Sequence, residues 1–559
     1  MHARIVLGWI ALVAVAAFLL LFLGLPLLTS LVAGLDPGLL LEAVRHPVYR
    51  AGMLNSAAIA ALTTVLTMLI AVPLAWLGAR CTFRGKGVLE ALLLAPLILP
   101  PFVGAIGVYQ LFGHYGVVNA LLGGLGISAA AAPDWLGDHR FLLVCVVEAL
   151  GLYPILYLTL VAAFARVDGA LLEAAAGLGA SRLTRLRRIV LPLVRPGLFA
   201  GGILVFVWSF TELGTPLMLG YDRAMPVQIY NGLAEAERNR LPFALVVIML
   251  TLSVTLYLVA RLVFVRRSAA FIGKGSAAAP ALRLCGWRAV GAAVPFIAVL
   301  ILALAPHVVV VLTAFAGDWY ASVLPRTWTM SHAREALAHP LVVPGIVNSL
   351  GYAAAATALA LVIGVFIAWT SARWRPRGWQ ILDAAAMVPL AVPGIILAFG
   401  YLAMATGIPW LKAWLDPTRN PTLLLIIAYA VRRLPQVVRS AAAGLEQAPV
   451  AYEEAAASLG AGFAYRLRRI TLPLVAGSIA AGALLTFSFS MLEVSDSLVL
   501  AQRKEFSPIT RVIFELVQIL GSGPAVACAF AAWAMLFLAA ALGAAAALRG
   551  RSPMGLLRD

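Results

Sequence analysis

The chain has 559 residues, 63% of them hydrophobic and only 12% charged. Soluble domains carry charge on about a quarter of their residues, so an ordinary water-soluble enzyme or binding module is excluded. The formal net charge of +17 would suggest nucleic acid in a soluble protein, but here Lys and Arg stand in short clusters between long apolar runs, a pattern of membrane orientation.

Leu, Ala, Val and Gly dominate runs long enough, at about 1.5 Å per residue, to cross a hydrocarbon core of about 30 Å. They predict helical spans at 5–33, 51–79, 88–112, 141–165, 196–220 and 241–264, then 290–315, 345–371, 380–406, 422–443, 477–500 and 525–548. The first run, after Arg4, is too long for the apolar core of a secretory signal and is expected to remain as a span. A barrel would show short alternating segments instead.

Basic clusters occur at Arg80/Arg84/Lys86, Arg182–Arg188, Arg261–Arg288, Arg373/Arg375/Arg377, Arg466–Arg469 and the tail with Arg549, Arg551 and Arg558. All fall on one side when the chain is threaded from an internal N-terminus, which makes that side the cytoplasm. The opposite connections, near 34–50, 113–140, 221–240, 316–344, 407–421 and 501–524, mix acids and bases with Pro, Gly, Asn and Trp and predict external loops with short interfacial helices.

The segment EAAAGLGASRLTRLRRIVLPLV from Glu173 returns as EAAASLGAGFAYRLRRITLPLV from Glu454, a shift of 454 − 173 = 281 with 16 of 22 positions identical. At the same shift Pro154 pairs with Pro435, and Phe206, Ser209 and Glu212 pair with Phe487, Ser490 and Glu493. Earlier in each half, at a shift of 293, Asn55-Ser56 pairs with Asn348-Ser349, Ala75-Trp76 with Ala368-Trp369, and Pro96/Pro100 with Pro389/Pro393. The copies lie an even number of spans apart, so they are parallel repeats related by a pseudo-two-fold axis along the membrane normal, with a pathway expected between them. The fold expected is an all-α membrane protein of about twelve transmembrane helices in two six-helix halves, 1–265 and 290–559, joined by a cytoplasmic linker at 266–289.

Within the repeated segment, small residues Ala174 to Ala176 and Ala455 to Ala457 allow another surface to approach, and Gly179 and Gly460 allow a turn that a Cβ would strain. A second short helix then carries Arg185, Arg187 and Arg188, or Arg466, Arg468 and Arg469, and Pro192 and Pro473 are expected to mark re-entry to the membrane. Glu173 and Glu454 are left as exposed anions.

At these residues the chain resembles the EAA loop of ABC-importer permeases, which docks on each ATPase subunit. The resemblance implies a type I importer permease fold and an ATPase-coupling role for Glu173, Ala174, Ala175 and Gly179 within loop 173–194, and for Glu454, Ala455, Ala456 and Gly460 within loop 454–475. The fused layout and the run LPQVVRSAAAGLEQAPVAYEEAAASLGA at 434–461 are similar to the iron(III)-type permeases, with thiamine, phosphonate and polyamine permeases as alternatives. By resemblance the chain sits in a bacterial inner membrane with both termini cytoplasmic. Its partners would be two copies of a cytoplasmic ATPase and a periplasmic solute-binding protein, with no nucleic acid. No G-x-x-x-x-G-K-[ST] pattern occurs, so ATP is expected on the partner subunits and no cofactor on this chain, which is not itself an enzyme.

Glu212 and Glu493 fall at equivalent places in the expected fifth span of each half, and a carboxylate at mid-bilayer costs about 2.5–3.5 kcal/mol on insertion scales. Two related acids near the axis, with Asp496 as a third, would suit a cationic or metal-bearing solute, and Arg432 and Arg433 join them as candidates for the translocation pathway; the other reading pairs the acids with these arginines to lock helices together. Asn55, Asn348 and the paired prolines are expected to serve packing. Four dispersed cysteines, Cys81, Cys145, Cys285 and Cys528, and seven scattered histidines show no ligand spacing. A secondary transporter driven by an ion gradient is the competing class, but it has no need of a repeated cytoplasmic knob.

Overall fold

The computed structural model describes residues 2–99, 101–126, 133–137, 139–165, 167–235, 239–260 and 282–547. Pro100, linker residues 266–281, part of the 113–140 connection and the basic tail lie outside the described residues.

Eight helices among these residues are long and apolar enough to cross a membrane: Gly8–Gly34, Pro47–Arg80, Arg140–Ala165, Leu183–Phe210, Trp287–Phe315, Val342–Trp374, Phe463–Met491 and Gly523–Ala541. Two bent pairs bring the number to ten if each counts as one span: Lys86–Leu97 with Pro101–Gly124, bent by 92°, and Trp379–Leu390 with Gly394–Gly407, bent by 107°. The third and ninth spans turn sharply at the paired prolines, which cannot continue an i→i−4 ladder. Leu241–Ala260 is a shorter apolar helix, and Thr422–Gln447 is long enough but carries Arg432, Arg433 and Arg439.

Four π-turns mark the long helices, at Leu20–Gly24, Leu186–Val190, Thr370–Trp374 and Leu467–Thr471. Each ends two residues before a proline: Pro26, Pro192, Pro376 and Pro473. The wider turn moves a carbonyl away from the proline ring, so three of these helices run on through it. Pro192 and Pro473 thus sit inside continuous helices, and what was expected as a second short helix is the first turns of Leu183–Phe210 and Phe463–Met491.

The halves exchange their first helices. Gly400 packs against the Pro26 carbonyl, and Tyr401 donates a hydrogen bond to the Phe22 carbonyl (2.6 Å), holding the N-terminal helix on the second half. Reciprocally Gly107, the counterpart of Gly400 (400 − 107 = 293), packs against the Pro306 carbonyl of Trp287–Phe315. A Cβ at either glycine would collide with backbone, so the crossing requires glycine at both. His307 is buried beside Gly104 in the same crossing.

Four short strands, unexpected in an all-α reading, tie loops together. Cys81–Thr82 pairs in parallel with Leu282–Arg283 just before the seventh helix, and Ala316–Asp318 pairs antiparallel with Thr327–Trp328 on the opposite face. Short helices at Pro37–Arg45, Val117–Gly124, Ser331–Ala338 and Pro409–Leu415 occupy the connections predicted to hold them.

Candidate coupling surface and translocation cavity

Each repeated segment folds as a helix closed by a left-handed glycine. Gly169–Gly177 is capped by Asp168, whose side chain accepts from the Ala170 N–H (2.9 Å). At its end the Ala180 N–H donates to the Ala175 carbonyl (2.9 Å) and the Gly179 N–H to the Ala176 carbonyl (2.9 Å). Val450–Ser458 ends identically, with Ala461 on Ala456 (2.9 Å) and Gly460 on Ala457 (3.0 Å). Gly179 has φ of +80° and Gly460 of +84°, completing a Schellman turn twice. Arg185 braces the first knob by donating to the Leu172 carbonyl (3.4 Å), and its counterpart Arg466 donates to the Glu453 carbonyl (3.3 Å).

Glu173, Ala174, Glu454 and Ala455 face outward, while Ala175 and Ala456 are half-buried. The residue before each turn glycine, Leu178 or Leu459, is 89% exposed. A largely exposed leucine repeated at the same place in two related knobs is an apolar peg without a socket among the described residues. The peg was not singled out from the sequence, although its repetition at a shift of 281 was the signal available.

The fifth and eleventh spans end earlier than expected, at Phe210 and Met491, and short helices Gly214–Met218 and Ser495–Leu500 follow. Glu212 and Glu493 therefore sit in the breaks between helices. Glu212 accepts from the Gly214 N–H (3.1 Å) and Thr215 N–H (3.4 Å), capping its short helix. Glu493 is ion-paired with Arg432 (3.1 Å) and with Arg433, and Asp496 lies 3.8 Å from Arg432. Arg433 also donates to the Phe489 carbonyl (3.2 Å) and lies over the Phe489 ring. The two breaks meet between the halves, where a Cβ on Gly214 would lie 3.3 Å from Val494.

Below the breaks opens a cavity of about 330 Å³ lined from both halves, including Pro96, Glu212, Pro389, Arg432, Arg433 and Glu493. The bend prolines thus shape the cavity wall as well as packing. Asp496, 1% exposed, stands behind the arginines. No group of three or more His, Cys, Asp or Glu placed to hold a metal ion occurs among the described residues.

On the far side of the breaks, Ser56 accepts from the Met225 N–H (2.8 Å) and Ser349 from the Ile509 N–H (2.7 Å). Asn55 and Asn348 donate to loop carbonyls at Arg223 (3.3 Å), and at Glu505 (2.9 Å) and Ser507 (3.3 Å). These pairs cap and tether the covering helices Met225–Asn231 and Ile509–Val517, a more specific role than interhelical packing. The two covering helices meet at Tyr230 and Phe514 (centroids 6.1 Å apart), and Arg511 donates to the Tyr230 hydroxyl (2.8 Å).

Glu148 is among the buried acids that the sequence reading did not single out. Glu148 bonds Ser209 and Thr63. It replaces Tyr429 of the other half (429 − 148 = 281), whose hydroxyl bonds Ser497 (2.7 Å), and a lone acid inside an apolar run was its signal.

Residues 51–269 and 360–549 match the family described as binding-protein-dependent transport system inner membrane component. A probable molybdenum ABC transporter permease of Haloferax volcanii is 35% identical over 216 residues, covering 38% of this chain and 76% of that protein. A probable ABC transporter permease of Sinorhizobium fredii is 27% identical over 500 residues, covering 84% and 83%. A putative ferric transport system permease of Haemophilus influenzae is 24% identical over 449 residues, covering 78% and 67%. A bacterial ABC transporter involved in alginate import, solved by crystallography, matches 48% of this chain and 98% of its own at 18% identity, with a TM-score of 0.40. With the family match falling once in each half, the chain belongs to the binding-protein-dependent inner membrane components, the permeases of ABC importers.

Proposed function

We propose that each knob receives one copy of a cytoplasmic ABC ATPase, that ATP is bound and hydrolysed by those partners, and that a periplasmic binding protein delivers solute to the covered face. Both termini are cytoplasmic in this reading, in a bacterial inner membrane. The spans number twelve when Leu241–Ala260 and Thr422–Gln447 join the eight straight helices and two bent pairs. The observation that carries the coupling role is the pair of congruent knobs, each presenting an 89% exposed leucine beside a left-handed glycine.

Iron(III) is the solute this reading favours, supported by the fused layout and by a ferric permease relative aligned over 78% of the chain. The molybdenum permease relatives, nearer in identity but aligned over about 40% of the chain, make a molybdenum species the second choice, ahead of thiamine, phosphonate or polyamine.

The coupling test is a chain carrying both Leu178→Asp and Leu459→Asp. Loss of two buried apolar anchors is expected to weaken ATPase capture by at least about 100-fold. Undiminished capture and solute-stimulated ATP hydrolysis would refute the docking role, and ATP-independent uptake would favour an ion-coupled transporter. Uptake of labelled iron(III), molybdate and thiamine by a deletion strain expressing the chain assigns the solute.

A further inference from the structure

On the second-half wall of the cavity, Glu493 and Asp496 are covered by the arginines that pair with them. Arg432 and Arg433 retain 20% and 17% of their side-chain surface, whereas Glu493 and Asp496 retain 3% and 1%. Resting on the importer reading above, we propose that the cavity binds its solute through Arg432 and Arg433 and takes small oxyanions, either free or as the outer ligands of a complexed metal ion, in preference to a bare cation.

One oxygen of Glu493 is occupied by both guanidiniums, and the Glu493 carbonyl accepts from Thr510 (2.7 Å) and Ser497. These acids act as counterions that let two adjacent arginines persist away from water. A bare cation entering the cavity meets the guanidiniums before it meets Glu493 or Asp496. An oxyanion meets planar donors with fixed charge, the geometry that suits bidentate recognition.

The site is built for the arginines. Gly394 leaves the space that the Arg432 guanidinium fills, since any Cβ there would collide with it. The first half places Pro101 at the position of Gly394 (394 − 293) and Gly151 and Leu152 at those of Arg432 and Arg433 (432 − 281, 433 − 281). A solute between the halves therefore meets cations on one side only, and across from them Glu212, with an oxygen already taken by two backbone N–H groups. Gln436, one turn along the arginine helix, lines the same wall. The volume of about 330 Å³ equals roughly ten waters at about 30 Å³ each, enough for a small ion with part of its hydration shell.

The test is equilibrium binding to the full chain in lipid nanodiscs, with labelled molybdate, inorganic phosphate and ferric citrate as oxyanion probes and Ni²⁺ as the bare cation. Saturable binding of an oxyanion probe is expected, weakened about tenfold or more by Arg433→Gln and less by Arg433→Lys. Glu212→Gln removes the negative charge across from the guanidiniums and is expected to tighten oxyanion binding. Molybdate or phosphate binding identifies a free oxyanion, and ferric citrate alone identifies a complexed metal. The pair Arg433→Gln with Glu493→Gln removes both charges together, so loss of binding with an unchanged unfolding temperature supports a direct role for Arg433. The proposal is overturned if no oxyanion probe saturates, if folded arginine variants bind as before, or if Ni²⁺ binds and Glu212→Gln abolishes it. ATPase capture by the same preparation separates the two readings: capture without oxyanion binding overturns this inference alone, and failed capture overturns the proposed coupling role of the knobs.

Discussion

Arg373 and Arg80 stand at the inner ends of equivalent helices, one in each half (373 − 80 = 293), yet they do different things. Arg373 pairs with Glu453 (3.2 Å) and donates to the Leu445 and Ala448 carbonyls (2.9 Å each), bolting the second knob to the helix Val342–Trp374. In the first half Leu172 takes the place of Glu453 (453 − 281), and Arg80 lies over the Trp76 ring with its Nε and Nη2 lacking hydrogen-bond partners among the described residues. The knob itself is symmetric, because its turn and its Arg185 or Arg466 brace rest on backbone groups that any sequence supplies. Its attachment is asymmetric, because that depends on one side chain.

The same division holds around the cavity. The breaks, their acids Glu212 and Glu493 and the tethering serines repeat, while the arginine pair, Asp496 and the glycine that admits Arg432 belong to the second half alone. One half keeps the arginine wall, and the other meets it with Glu212 among mostly apolar residues.

The strongest challenge to that comparison is Gly394→Ala. Its methyl group would displace Arg432 and leave Glu493 and Asp496 undercompensated, a loss of about 3 kcal/mol or more. Pro101→Ala at the counterpart should change stability by about 1 kcal/mol or less. Thermal unfolding in nanodiscs measures both, and equal shifts would mean the arginine wall is not a special feature of the second half.

Next in size, Arg373→Ala is expected to cost about 2 kcal/mol through the lost charged hydrogen bonds, and Arg80→Ala about 1 kcal/mol or less. Adding Leu172→Glu should give Arg80 an acceptor and narrow the difference by a few tenths of a kcal/mol. ATP hydrolysis per solute transported, measured with the assembled complex, reports whether the loose attachment weakens coupling; coupling unaltered by Arg373→Ala would show the bolt to be irrelevant to transport.

The smallest effect tests the symmetric part. Gly179→Ala and Gly460→Ala each force an L-residue into left-handed backbone, at about 1 kcal/mol. The two should weaken ATPase capture equally. A marked inequality would show that the knobs are not mechanical equivalents.

Much of this architecture was legible in one dimension. The apolar runs, the repeat at 281 and the alternation of basic loops follow from bilayer thickness and backbone satisfaction, which constrain every helix independently of its neighbours. The helix–turn geometry at Gly179 and Gly460 was equally local. By contrast, the ends of the fifth and eleventh spans were misplaced, because Glu212 and Glu493 interrupt helices whose hydropathy continues unbroken past them. The parallel strand pair and the interhalf exchange were invisible, since each joins residues about 200 or more positions apart, and the antiparallel pair at Ala316–Asp318 and Thr327–Trp328 is too short to leave an alternating pattern.

The sequence alone thus established a two-fold, helical membrane protein with a repeated knob, because hydrophobic length and recurrence are properties of single segments. Only the tertiary structure decided which way the buried charges face. An acid and an arginine read the same in a string whether they are solute contact or counterion, and their roles are set by which one is left uncovered when the helices close around them.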